Sequence, residues 1–498
     1  MEQRFADLKA RLSEIHDLRR ALEMLFWDQT VMMPPGGGAV RSAQVTTLDR
    51  IAHERFVSDE IGTLLDELAP YEESLDYDSD EASLIRTTRR DWEKARRVPA
   101  ELSAEMTGAE AVAHDVWAKA RADDDYALFL PHLERAVELK HRYIDCFEGY
   151  DEPYDVLLDD YEPGMKTAEV RRVFDQLKAE LVPLIAEVGS VDGDDAFLKG
   201  PWPVEAQHAF SLEIIERFGF DPSFARLDLT VHPFAASSGT QDIRLTTRYN
   251  EDDVNSIFTA MHECGHGLYE HGVSPTLERT PLCHGVSSAL HESQSRLWEN
   301  IVGRSRPFWN HFYPSFQAAF PEALGDVDQE RFYRAINRVK PSYIRVDADE
   351  ATYNLHIILR FELEQEILAG TVDLKDLPEA WNARFEEYLG LPVPSDTLGV
   401  LQDVHWSGGS FGYFPTYSLG NVVSVQIWEQ ALSELPDLPE QFEQGEFEQL
   451  HEWLRTRLYT LGRKFTPQET LERVVGGPID AGPYVRYLKD KLGALAAA

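Results

Sequence analysis

Two histidines four residues apart, with a glutamate directly after the first, carry the strongest chemical signal in the sequence: His262-Glu263-Cys264-Gly265-His266. On a helix, residues four apart project from one face, so both imidazoles can reach one point. Neutral imidazoles at that spacing bind one zinc ion, and a carboxylate between them serves as general base toward a water on the open metal position. The chemistry implied is metal-assisted hydrolysis. A catalytic zinc needs a third protein ligand. Glu292 lies 26 residues after His266 in a second helical stretch, Ser287 to Arg296, and offers a carboxylate. His291 competes beside it, and Cys264 and Cys283 are soft ligands nearby. Cys264 falls two residues after His262, on another face, which counts against it.

A bare HExxH arises by chance in roughly a few per cent of chains this long, so the element that carries it matters. Asn250 is a good N-cap, and Glu251 to Asp253 suit the positive end of a helix dipole. Val254, Ile257, Phe258, Met261, Gly265 and Leu268 form an apolar stripe, which predicts an amphipathic helix over about 251–270.

The rest of the chain reads as helix after helix. Phe5, Leu8, Leu12, Ile15, Leu18, Leu22 and Leu25 recur every three to four residues until Pro34-Pro35-Gly36-Gly37-Gly38 breaks the pattern. Helical periodicity returns at about 40–68, 81–97, 100–121, 126–149 and 167–188, then at 287–303, 328–338, 350–369 and 376–388. The stretches 189–204 and 391–415 read as loops. Arg226 to Val231 and Asp242 to Thr247 alternate apolar and polar residues around a Gly- and Ser-containing turn, Ala235 to Gly239, which predicts a β-hairpin. The expected fold is therefore mostly α, with a small β-hairpin beside the active-site helix. Residues 1–498 read as one large domain, with a helical N-terminal part over 1–200 and the metal-binding part over 201–498.

Composition narrows the class. Asp plus Glu number 87 and Lys plus Arg 48, for a formal net charge of −39. Only 12 of the 48 basic residues are Lys. The acidic residues are spread along the chain, and such a surface repels phosphates, so no nucleic-acid partner is expected. Two readings of the charge stand: an ordinary solvated surface, or adaptation to a high-salt interior that screens self-repulsion. No apolar run reaches eighteen residues, so no membrane span is expected. The N-terminal stretch is charged and amphipathic without a signal-type apolar region, and the three cysteines form no CxxC pair. A reducing cytoplasm is the expected location.

Several further strings resemble the carboxypeptidase Taq family of metallocarboxypeptidases. They are His232-Pro233-Phe234, Asp242-Ile243-Arg244-Leu245-Thr246, the HExxH itself, His291-Glu292-Ser293-Gln294, Ile344 to Asp349, and Gly399 to Trp406. Trp27 to Pro34 is similar to the family's opening helix and turn, and Tyr484 to Lys491 to its last helix, so the resemblance spans essentially the whole chain. The resemblance implies an all-helical fold with a deep substrate groove. It implies a single metal at the positions of His262, His266 and Glu292, a homodimer, and broad C-terminal specificity with Pro disfavoured.

The remaining residues in these strings have a physical reading as well. A carboxypeptidase must grip a free α-carboxylate, for which a guanidinium is the natural partner. Arg345 is the first choice and Arg244 the second; the alternative is a structural ion pair with Asp347, Asp349 or Asp242. An oxyanion donor is also required. His405, Tyr413 and Tyr417, in a Gly-rich stretch, are candidates, each against the alternative of a buried, hydrogen-bonded ring. His232 and Phe234 are expected to wall the groove, and Asp403 to orient a ligand. The expected enzyme is a zinc-dependent carboxypeptidase, in which cobalt often substitutes, with Glu263 as general base. An endopeptidase sharing the metal site and a non-enzymatic zinc-stabilised helical protein are the alternatives.

Overall fold

The computed structural model describes residues 1–189 and 195–497. The repeat of Leu8, Leu12 and Ile15 produces the helix Glu2–Val31, which ends just before Pro34-Pro35. These three side chains pack with Phe56, Ile61, Leu65, Leu68 and Ile85 in a core that also takes in Val273, Leu277 and Leu282. The N-terminal helices are thereby fastened to the segment between the two metal-motif helices. A second, larger core runs from Ala113 to Leu492.

Most expected helices form. Thr167–Val188 matches its predicted limits, and Asp80–Arg97, Ala100–Asp123, Gln329–Ile336, Tyr353–Ala369 and Leu377–Leu389 fall within a few residues of theirs. The single helix expected over 40–68 is two, Gly38–Phe56 and Asp59–Ser74. The helix expected over 126–149 stops at Ile144. The loop expected over 189–204 lies partly outside the described residues; Ala196–Lys199 forms a short 3₁₀ turn within it.

The predicted hairpin needs correction. β1 (Ala225–Leu229) pairs parallel to β3 (Asp242–Thr247), and Ala235–Gly239 is itself a strand, β2, antiparallel to β3. The order is β1-β3-β2. Ala235 to Gly239 has turn-like composition, yet it is held in extended form by β3 and by the N-terminal helix. Arg20 of that helix donates through Nη1 to the Ser237 carbonyl at 3.0 Å and to its hydroxyl at 2.8 Å.

The motif helix also starts later than expected. It spans Asn255–Gly272. Asn250 is not its cap: the Asn250 side chain accepts from Asp252 N at 3.1 Å, and Asp253 accepts from Asn255 N at 2.7 Å. Short polar side chains here bond their own backbone two residues on, which competes with the helix. The predicted apolar stripe is buried as expected. Among the described residues, no helix is long and apolar enough to cross a membrane.

Candidate metal centre and substrate groove

His262 and His266 stand on one face of the helix Asn255–Gly272, with ring centroids 4.9 Å apart. Their Nε2 atoms lie 3.6 and 3.5 Å from Oε2 of Glu292. Glu292 belongs to the helix Ser288–Arg296, which opens on the Ser287 hydroxyl accepting from Leu290 N at 3.3 Å. Two glycines bring the helices this close. A Cβ at Gly265 would meet Gln294 O at 2.6 Å, and one at Gly420 would meet Glu292 Cβ at 2.7 Å. The helix bearing Glu292 is thus squeezed between the HExxH helix and the helix Pro415–Glu434.

The donor set suits a divalent cation. The three donor atoms lie within 4.8 Å of one another. The far nitrogen of each imidazole is held: His262 Nδ1 by Glu299 Oε2 at 2.9 Å, and His266 Nδ1 by His291 Nδ1 at 2.6 Å. Glu292 Oε1 accepts from Arg296 Nε at 2.7 Å. Burial pushes His266 down to about 4, so its imidazole is neutral. Burial would also lower His262, but the Glu292 and Glu299 carboxylates outweigh it and raise the ring. Burial works against ionisation of Glu292, yet Arg296 and the two imidazoles hold its carboxyl well below the usual range. Two imidazoles and an anionic oxygen, each oriented from behind, form the pattern of a catalytic metal set.

The alternative donors stand outside this set. His291 turns Nδ1 to His266 and Nε2 to Glu270, at 2.6 and 2.9 Å, and so stands behind His266. Cys264 is buried in the main core and Cys283 in the N-terminal core, and neither belongs to the convergent set.

His262 and Glu292 sit where two chambers meet, and His266 lines the first of them. One has a volume of about 720 Å³, the other about 670 Å³, and His262, Glu292, Pro233 and Tyr417 line both. Glu263 and Tyr413 face the first. Glu263 is 6% exposed, and burial lifts its carboxyl to about 7. Burial also raises Tyr413 and Tyr417, so both phenols keep their protons and remain donors. Their rings are 5.1 Å apart. His405 lines neither chamber; its Nε2 lies 3.3 Å from the Tyr417 hydroxyl. Burial drives His405 down to about 4, so it is neutral there.

Arg345 faces the second chamber. Its Nε and Nη2 donate to Asp403 Oδ1 at 3.0 and 2.8 Å, and Nη1 donates to the Tyr353 hydroxyl at 2.8 Å. The ion-pair partner is therefore Asp403, not Asp347 or Asp349. The same carboxylate takes Arg360, whose Nε donates to Oδ2 at 2.6 Å. Two guanidiniums on one carboxylate leave a positive charge, and among the described residues two of the five Arg345 N–H groups remain unassigned. Arg244 is engaged differently. It pairs with Asp242 at 3.0 Å and lies 4.4 Å over the Trp27 ring, away from both chambers. This is the structural ion pair for Arg244, and of the two guanidiniums only Arg345 faces a chamber. Of His232-Pro233-Phe234, the histidine is exposed while Pro233 and Phe234 line the groove.

Three residues escaped the sequence reading. Glu299, seven after Glu292, supports His262. Glu270, four after His266 and so on the same helix face, supports His291. Glu364 accepts from Tyr154, Gly412 and Trp406 and anchors the Gly-rich segment. The spacing of Glu270 from His266 and of Glu299 from Glu292 was a usable signal; Glu364 offered none.

A helical scaffold with two imidazoles and a carboxylate converging beside a buried glutamate, next to two adjoining chambers, suits a metallopeptidase. The family described as carboxypeptidase Taq (M32) metallopeptidase matches residues 7–492. The chain is 42% identical over 481 residues to thermostable carboxypeptidase 1 of Thermus thermophilus, covering 94% of each. It is 35% identical to carboxypeptidase 1 of Bacillus subtilis, covering 99% of this chain and 98% of the relative. The solved M32 carboxypeptidase from Deinococcus radiodurans superposes with a TM-score of 0.96 at 40% identity over 100% of both chains. The chain belongs to the carboxypeptidase Taq (M32) family and is a metallocarboxypeptidase.

Proposed function

We propose that this chain is a zinc carboxypeptidase that releases single C-terminal residues with broad specificity, and that His262, His266 and Glu292 hold the cation. The carrying observation is the convergence of those three donors beside Glu263, with the incompletely neutralised Arg345 in the adjoining chamber. Two imidazoles and a carboxylate are a usual zinc set, and cobalt fits it too. A cation held there by His262, His266 and Glu292 would supply Lewis-acid polarisation of the scissile carbonyl and lower the pKa of a nearby water. Glu263 takes the proton of the attacking water and returns it to the leaving amine. The Tyr413 or Tyr417 hydroxyl donates to the oxyanion, with His405 holding the Tyr417 hydroxyl from behind. Arg345 pairs with the terminal carboxylate and sets the one-residue register.

The reading extends to a single-domain chain that works as a homodimer in a reducing cytoplasm, which three free cysteines suit. It also includes adaptation to high salt, for which the net charge of −39 is the support. The deciding experiment is mass spectrometry of a peptide and its C-terminally amidated twin, each with and without a chelator. A ladder of single losses from the free acid alone, abolished by the chelator, is expected. Internal cleavage of both peptides overturns the carboxypeptidase register.

A further inference from the structure

Behind His266 lies a chain of polar contacts. His266 Nδ1 is 2.6 Å from His291 Nδ1, and His291 Nε2 is 2.9 Å from Glu270 Oε1. Glu270 is 8% exposed and fixed on both oxygens. Gly285 N donates to Oε1 at 2.9 Å, the Ser237 hydroxyl donates to Oε2 at 3.3 Å, and Arg20 Nη2 stands 3.8 Å from Oε2. The His291 ring is clamped as well. A Cβ at Gly285 would meet its Cδ2 at 2.6 Å, and the Tyr269 ring lies 5.3 Å away on centroids.

The protons along this chain follow from donor and acceptor rules. An ionised carboxylate only accepts, so His291 must carry its proton on Nε2. A neutral imidazole then has a bare Nδ1. At 2.6 Å the partner must donate, so His266 carries its proton on Nδ1. That leaves His266 Nε2 as a lone pair, on the side facing Glu292. A residue two side chains away thus sets the tautomer of a ligand. His262 is served more directly, by Glu299 at 2.9 Å.

We infer that Glu270 and His291 form a two-residue relay that positions His266 for the cation; this rests on the ligand assignment proposed above. The same atoms invite a different reading, because Glu270, His284 and His291 also bring donor atoms within 4.8 Å of one another. A second cation on His291 Nε2 would displace the proton there. Neutral His291 would then carry its proton on Nδ1, head-on to the Nδ1–H of His266. Two Nδ1 protons cannot share that 2.6 Å contact, so the relay predicts one tightly bound cation per chain.

The test measures zinc affinity by chelator competition and stoichiometry by metal analysis, with the absorption spectrum of the cobalt-loaded protein alongside. Glu270→Gln keeps the shape and removes the charge. It and His291→Phe are expected to bind zinc about 10- to 100-fold more weakly, with shifted cobalt bands; both also lower the apoprotein melt, because buried polar groups around position 270 are left unmatched, so affinity is read at a temperature where each variant is folded. His284→Ala is expected to keep the parent affinity and stoichiometry. Parent-like affinity in both Glu270→Gln and His291→Phe overturns the relay, as does a second tight equivalent in the parent that His284→Ala removes. NMR of isotope-labelled histidines in the zinc-loaded parent reads the tautomers without any variant. Nδ1–H on His266 with Nε2–H on His291 is expected; Nδ1–H on His291 overturns the relay. His262→Ala separates the two levels. If it too binds like the parent, the ligand assignment itself has failed; if it loses zinc while Glu270→Gln does not, only the relay has.

Discussion

The indole Nε1 of Trp406 donates to Oε1 of Glu364 at 2.8 Å, tying the Gly-rich segment to the buried helix Tyr353–Ala369. Gly412 N adds a bond of 2.9 Å to Oε2, and the Tyr154 hydroxyl one of 2.6 Å. The segment between Trp406 and Gly412 adjoins His405 and Tyr413 on either side, so a single carboxylate fixes the base of the oxyanion candidates.

This carboxylate makes stability depend on pH. Burial lifts Glu364 from 4.5 to about 7, against the three donors that favour its ionised form. Between those values the folded chain holds a proton that the unfolded chain has lost. The group's contribution is therefore most favourable below 4.5 and falls as pH rises to about 7, by roughly 3 kcal/mol in all. Glu364→Gln should cost about 1–3 kcal/mol, because an amide NH₂ must face a donor. The variant should also lack the slope, so its deficit narrows from pH 5 to pH 7.5 in denaturant titrations. Parallel curves for the two proteins would show that Glu364 does not titrate in this range.

Base and ligands should separate cleanly on mutation. Glu263→Gln is expected to retain the cation and lose about 10²- to 10⁴-fold in kcat, the usual worth of a positioned base. His262→Ala, His266→Ala and Glu292→Ala are expected to lose the metal on dialysis and with it the ligand-dependent part of the melting temperature. Metal analysis beside turnover is the check. Full occupancy and turnover in Glu292→Ala would mean the third ligand is wrongly assigned.

Arg345→Ala should raise KM for free-acid peptides by about 10- to 100-fold, the worth of a charge-assisted bond, with little change for amidated peptides. The fold should tolerate the change, since Asp403 keeps Arg360 as its partner. Steady-state kinetics on the paired peptides reads the difference. Equal losses on both forms would show that Arg345 acts on structure and not on the carboxylate.

Salt tests the acidic surface. A net charge of −39, doubled in a dimer, repels itself in dilute buffer. The Debye length falls from about 10 Å at 0.1 M to about 3 Å at 1 M, which removes most repulsion between neighbouring surface carboxylates. Melting temperature, activity and dimer fraction should all rise from 0.1 M to above 1 M KCl. Thermal melts and light-scattering sizing across that range provide the measurement. A flat melting temperature would return the surface to the merely solvated reading.

The HExxH face was legible from the sequence because a helix fixes the relative directions of residues four apart by itself. The same local rule marked the apolar stripe from Val254 to Leu268 and the helix Thr167–Val188. Alternation also marked β1 and β3, but not their parallel pairing. Ala235 to Gly239 became a strand because β3 and Arg20 supply hydrogen bonds from distant parts of the chain. Arg345 shows the same limit. Its near neighbours in sequence were Asp347 and Asp349, yet its partner is Asp403, 58 residues on, joined there by Arg360. Spacing determines what one element can present. Which charge answers it, and which carboxylate stands behind each imidazole, depends on how separate helices pack, and that was decided by contacts such as Gly265 on Gln294 and Gly420 on Glu292.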